Sequence, residues 1–176
     1  MGPRAREGRY DLCIVGVGNT LAGDDGAGNV AAARLREMHG DRGDVFIHSL
    51  ETDPLELWEL LPLSGRFIFL DAVAGRPSGM LVELGRNSAL RAYPASLHHM
   101  DLPTVVGHLS ELRGLNDLEW SIWGVTIEMP EILGEGLSPE VSRAVEEMVG
   151  ILSRRIDARD HSVKAPPVFA RMDRIE

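Results

Sequence analysis

Cysteine is nearly absent from this chain: Cys13 stands alone. One thiol makes no internal disulfide and no cysteine-cluster zinc or iron–sulfur site, which points to a reducing compartment. Lysine is as scarce, with Lys164 the single example, so arginine carries almost all the positive charge. Basic residues number 18 against 27 acidic ones, a formal net charge of −9. A general nucleic-acid binder presents a basic face, so that class is set aside and no nucleic-acid partner is expected. No apolar run approaches the roughly 18 residues of a membrane helix, and no membrane insertion is expected. The opening residues Met1–Arg9 carry charges with no apolar stretch of signal-peptide length after them. The expectation is a soluble, cytoplasmic protein.

What is present is ordinary for a globular chain, 44% hydrophobic and 26% charged over 176 residues. A chain of this size buries roughly 70% of its unfolded surface and needs no covalent staple. The pattern implies an extension over 1–9, a single α/β domain over 10–157 and a loosely held tail over 158–176, where charges and Pro166-Pro167 break the periodicity.

Within the domain, short apolar runs bounded by glycine read as buried strands: Tyr10 to Val17, Asp44 to Leu50, Arg66 to Val73 with its polar end at Asp71, Met80 to Leu84, and Leu118 to Ile127. Helices are expected at Ala27 to Met38, Pro54 to Leu61, Asp101 to Leu115 with Asp101 as N-cap, and after Ser138, whose side chain is expected to cap the helix while Pro139 takes its first position. Asn87 to Leu97 has no clear period and reads as a loop. Strands alternating with helices imply an α/β three-layer sandwich on a mostly parallel five-stranded sheet. The fourth strand follows the third too closely for a helical crossover and is expected to be antiparallel. Strand one is expected between strands two and three.

Several chemistries lack their residues. The turn Gly16-Val17-Gly18-Asn19-Thr20-Leu21 has Leu21 where a dinucleotide fingerprint needs its third glycine, and Asp24-Asp25 would repel a pyrophosphate, so no nucleotide is expected. In Gly75-Arg76-Pro77-Ser78-Gly79 the serine is one place late for a nucleophile elbow, and no His-Glu-x-x-His helix is present. Cys13 lies within an apolar strand and reads as a core residue. Trp120 and Trp123 alternate on their strand, which puts at most one of them in the core.

Taken singly, Asp24 and Asp25 read as helix-capping acids, Asp71 as a turn residue and His98 and His99 as solvated loop residues. Taken together they read differently. In an open α/β sheet ligands bind beyond the carboxyl ends of the strands, where neighbouring crossovers diverge. Asp25 follows strand one, Asp71 lies at the end of strand three, and His98 precedes a helix on a long loop. Two carboxylates and an imidazole make a mixed oxygen/nitrogen site for a divalent transition metal with coordination positions left over.

The segment Gly16-Val17-Gly18-Asn19-Thr20-Leu21-Ala22-Gly23-Asp24-Asp25-Gly26-Ala27-Gly28 resembles the Gly-x-Gly-Asn-x-Leu-x-x-Asp-(Asp/Glu)-x-x-Gly signature of the hydrogenase maturation endopeptidases. Phe69-Leu70-Asp71-Ala72, Ser96-Leu97-His98-His99-Met100-Asp101-Leu102, Gly124-Val125-Thr126-Ile127-Glu128 and Gly136-Leu137-Ser138-Pro139 are similar to further family segments, in order, across roughly 10 to 155. The resemblance implies an endopeptidase that removes a short C-terminal peptide from the nickel-loaded precursor of a nickel–iron hydrogenase large subunit. The nickel is carried by that substrate. It also implies that Asp25, Asp71 and His98 are the metal-contacting and catalytic residues; the choice of Asp25 as the hydrolytic base is a reading of the residues and is not part of the resemblance. His99 follows His98 directly, and Leu97 replaces a proline common in the family. The residues alone leave two rivals open, an independent zinc-type metallohydrolase and a nonenzymatic nickel chaperone or adaptor on the same fold.

Overall fold

A computed structural model describes residues 9–40, 42–50, 56–84, 102–128 and 134–171. The elements run β1 (Leu12–Val17), α1 (Ala27–His39), β2 (Val45–Leu50), α2 (Glu56–Leu60), β3 (Arg66–Ala74), β4 (Leu81–Leu84), α3 (Leu102–Leu112), β5 (Glu119–Ile127), α4 (Pro139–Asp157) and β6 (Ala170–Arg171). Among the described residues they form one sheet in the order β2-β1-β3-β5-β4-β6. β1 is flanked by β2 and β3 in parallel, β3 pairs parallel with β5, and β4 runs antiparallel to β5. The sheet has six strands, not five: the two-residue β6 pairs parallel with β4 at the edge.

Both faces are covered. Ile14, Ile68, Leu70, Trp123 and Val125 pack with Ala31, Leu35, Val145, Met148 and Leu152 of α1 and α4. Cys13, Val15, Phe67, Phe69 and Ile122 face the other way, against Leu57 and Leu60 of α2 and Val105 and Val106 of α3. Alternate residues of one strand therefore enter opposite cores. This is why the strands read as continuous apolar runs. It also corrects the expectation for the tryptophans, since Trp120 and Trp123 are both buried, one in each core. Cys13 is a core residue, with no exposure and a thiol that burial pushes up to about 12.

The tail is not loose over its described part. The Ser121 hydroxyl donates to the Val163 carbonyl, and Trp123 Nε1 donates to the same oxygen at 3.0 Å. The Ala165 N–H donates to Glu83 at 2.8 Å, and Phe169 packs its ring 4.8 Å from Trp123. Arg155 in the last turn of α4 donates to the carbonyls of Ser162 and Lys164. Among the described residues no helix is long and apolar enough to cross a membrane.

Candidate functional site

The chain leaves β1 through α1 to reach β2 on one side, and returns through α2 to β3 on the other. The carboxyl ends of β1 and β3 thus border the point where the crossovers part, the position at which open α/β sheets hold ligands.

Asp25 is carried by a short turn of helix, Gly23–Gly26, between β1 and α1. It is buried, 4% exposed, and its Oδ2 accepts the Asn19 N–H at 3.1 Å. Burial raises its carboxyl above the usual aspartate range, and the Asn19 bond partly opposes this. Neither Asp24 nor Asp25 caps α1, whose N-cap is Gly26 with no side-chain bond. Asp24 instead accepts the Ser138 N–H at 2.6 Å, tying the loop to the start of α4. The Ser138 side chain makes no cap bond, contrary to its expected role.

Asp71 is not at a strand end. β1 pairs with β3 only as far as Gly16 opposite Leu70, whereas β3 continues to Ala74 on the support of β5, with Asp71 opposite Gly124. β1 has turned away into the glycine loop, so Asp71 lies one residue beyond the last β1–β3 pair. Its Oδ1 accepts the Ala72 N–H at 2.8 Å. Its carboxyl is raised to about 8, chiefly by burial, with the Ala72 bond opposing and the nearby Asp25 charge adding. Part of the residue still meets solvent, and the Asp25 charge is the smallest of the three influences on it. A carboxylate whose proton affinity is raised further by a neighbouring carboxylate is an arrangement a divalent cation relieves.

Two glycines bring the acids together. A Cβ on Gly28 would lie 2.0 Å from the Leu70 carbonyl oxygen, and one on Gly18, at φ +133°, would lie 2.0 Å from the Asp25 carbonyl oxygen. Only glycine lets α1 and its preceding turn sit this close to β1 and β3. The close helix–strand approach expected of a third glycine at Leu21 is made from Gly28.

His98, His99 and the loop over Asn87 to Leu97 lie outside the described residues, as does Asp101; α3 is described from Leu102. Among the described residues no group of three or more metal-ligating side chains forms. Asp25 and Asp71 are the described carboxylates here that could serve as oxygen donors. Asn19, Gly28 and Asp24 are the contributors whose roles the composition of the motif does not announce. His39 and His48 are structural, bonded to Ser153 at 2.8 Å and to Glu56 at 2.7 Å. Trp58 lies beneath the Arg113 guanidinium at 3.9 Å.

No family model and no curated relative matches the chain. Solved structures do. The NiFe hydrogenase maturation protease HycI from Thermococcus kodakarensis KOD1 superposes with a TM-score of 0.70 at 21% identity, covering 86% of this chain and 95% of its own. HybD from the same organism, also a NiFe hydrogenase maturation protease, gives 0.65 at 27% identity, covering 82% and 98%. The fold is that of the NiFe hydrogenase maturation proteases. An endopeptidase from Escherichia coli, solved in solution, gives 0.68 at 22% identity, covering 87% and 96%. The maturation-protease fold spans these relatives almost end to end, and the Gly16–Gly28 segment that carries the sequence resemblance forms the turn that carries Asp25.

Proposed function

We propose that this chain is an endopeptidase that removes a short C-terminal peptide from the nickel-loaded precursor of a NiFe hydrogenase large subunit. The observation that carries the reading is the meeting of Asp25 and Asp71 at the crossover point of a maturation-protease fold. In this reading the substrate's nickel, already held by the precursor, enters the crevice and is contacted by Asp25, Asp71 and His98. Three side chains from separate segments leave most coordination positions to the precursor's own ligands, so the ion is sensed and not extracted.

Peptide cleavage needs water to add to the scissile carbonyl carbon, a base to take its proton, and that proton to reach the departing amine as the C–N bond breaks. A carboxylate whose proton affinity is raised is a better base than a solvated one. Asp25 is assigned this role, held through Oδ2 by the Asn19 N–H. The protein is expected in the cytoplasm, with the precursor as its partner.

The test is incubation with nickel-loaded precursor followed by mass spectrometry of the large subunit. Loss of a C-terminal peptide with the wild-type chain, and no loss with Asp25→Asn or Asp71→Asn, is the expected result. Stable binding without cleavage would favour the chaperone or adaptor instead.

A further inference from the structure

The peptide unit between Gly18 and Asn19 is held from both sides. The Asn29 side-chain amide donates through Nδ2 to the Gly18 carbonyl oxygen at 2.6 Å. The Asn19 N–H of the same peptide donates to Asp25 Oδ2 at 3.1 Å. In a trans peptide the C=O and N–H lie in one plane and point in opposite directions. A donor on the oxygen and an acceptor on the N–H together fix that plane, and each bond polarises the other.

Asn29 is well placed to act as the fixed end. It is the third residue of α1 and 3% exposed. Nδ2 also donates to the Leu50 carbonyl at 3.2 Å, at the end of β2. The amide orientation follows from its neighbours, because both are carbonyls and only the NH₂ group donates. Its Oδ1 is then buried with no partner among the described residues. A buried acceptor left unpaired costs stability, so packing alone does not account for an amide here. Gly18 adopts φ +133° against the Asp25 backbone, which leaves the peptide free of a side chain that could orient it otherwise.

We propose that Asn29 is a positioning residue for this site: through the Gly18–Asn19 peptide it holds the Asp25 carboxylate in the orientation that meets the substrate's nickel. The proposal rests on the reading of Asp25 as a nickel-contacting carboxylate. Groups that orient a ligand from behind in this way typically change metal affinity or activity by roughly 10- to 100-fold.

The experiment has one arm that needs neither metal nor substrate. In Asn29→Ala, the Asn19 backbone amide proton is expected to move upfield and exchange faster by NMR. In Leu35→Ala, which loosens the same helix from within the core, it should stay in place. Should Asn29→Ala not fold, a through-hydrogen-bond coupling between the Asn29 side-chain nitrogen and the Gly18 carbonyl carbon is expected in the wild-type protein. The second arm titrates free Ni²⁺. Asn29→Ala should weaken binding roughly 10- to 100-fold in the wild-type background and add no further loss in Asp25→Asn. An unmoved Asn19 amide, an absent coupling, or an equal loss with and without Asp25 overturns the proposal. If the Asn19 amide responds while the wild-type chain neither binds Ni²⁺ nor processes precursor, the site reading falls and takes the nickel role of Asn29 with it, leaving the peptide contact intact.

Discussion

Gly28 packs so closely on β3 that a Cβ there would come within 2.0 Å of the Leu70 carbonyl oxygen. Leu70 immediately precedes Asp71, and Gly28 lies three residues after Asp25. The contact between these two backbones is therefore what sets the spacing of the two carboxylates. Gly28→Ala should push α1 outward. Overpacking of this kind costs about 1–3 kcal/mol, and the variant should also lose processing while still folded. Denaturant midpoints and the precursor assay check this; a variant with unchanged midpoint and full activity would contradict the close approach.

Asp71 links the site to pH. Its native carboxyl titrates at about 8, against roughly 3.9 in an unfolded chain. Between those values the native state holds a proton that the unfolded state has released. The contribution of Asp71 to stability is thus fully present below the unfolded value and is lost as pH rises through the native one. Asp71→Asn should flatten the decline in stability across this window for metal-free protein, and should raise the urea midpoint at its alkaline end. Parallel pH profiles for the two proteins would remove burial and the Asp25 charge as the cause. Ni²⁺ affinity should rise across the same window, because binding displaces the proton.

His98 and His99 are separated by substitution. His98→Ala should abolish processing and His99→Ala should be mild, read by the rate of precursor cleavage. The reverse outcome would move the ligand position by one residue.

The tail should matter to stability. Phe169 is 5% exposed and lies against Trp123. Phe169→Ala should cost roughly 3 kcal/mol, as for an aromatic removed from a core. A change within about 0.5 kcal/mol, typical of surface substitutions, would show that the tail packs only weakly.

The order of elements is legible because glycine-bounded apolar runs are what a doubly covered parallel strand requires, and β1, β3 and β5 fall close to their expected spans. The placement of β1 between β2 and β3 follows from where the acids stand. What is not legible depends on contacts distant in sequence. β6 is two exposed residues with no apolar signature, and it follows a segment seated by Phe169, by the Trp123 donor on the Val163 carbonyl and by the Ala165 N–H on Glu83. The burial of both tryptophans depends on helices covering both faces, which alternation along one strand does not reveal. Asp71 looks like a strand end because polarity begins there, yet β5 carries β3 three residues further. The burial of Asp25 arises from glycines at 18 and 28, and the capping role expected of Ser138 yields to a carboxylate from Asp24, far away in the chain.

The central claim is that cleavage depends on nickel already seated in the precursor. The most direct measurement compares nickel-loaded with nickel-free precursor, each incubated with protease presoaked in zinc, and reads the mass at the C-terminus of the large subunit. The account predicts loss of the C-terminal peptide from the nickel-loaded precursor and none from the nickel-free one. Full cleavage of the nickel-free precursor would contradict it and identify an independent zinc-type metallohydrolase.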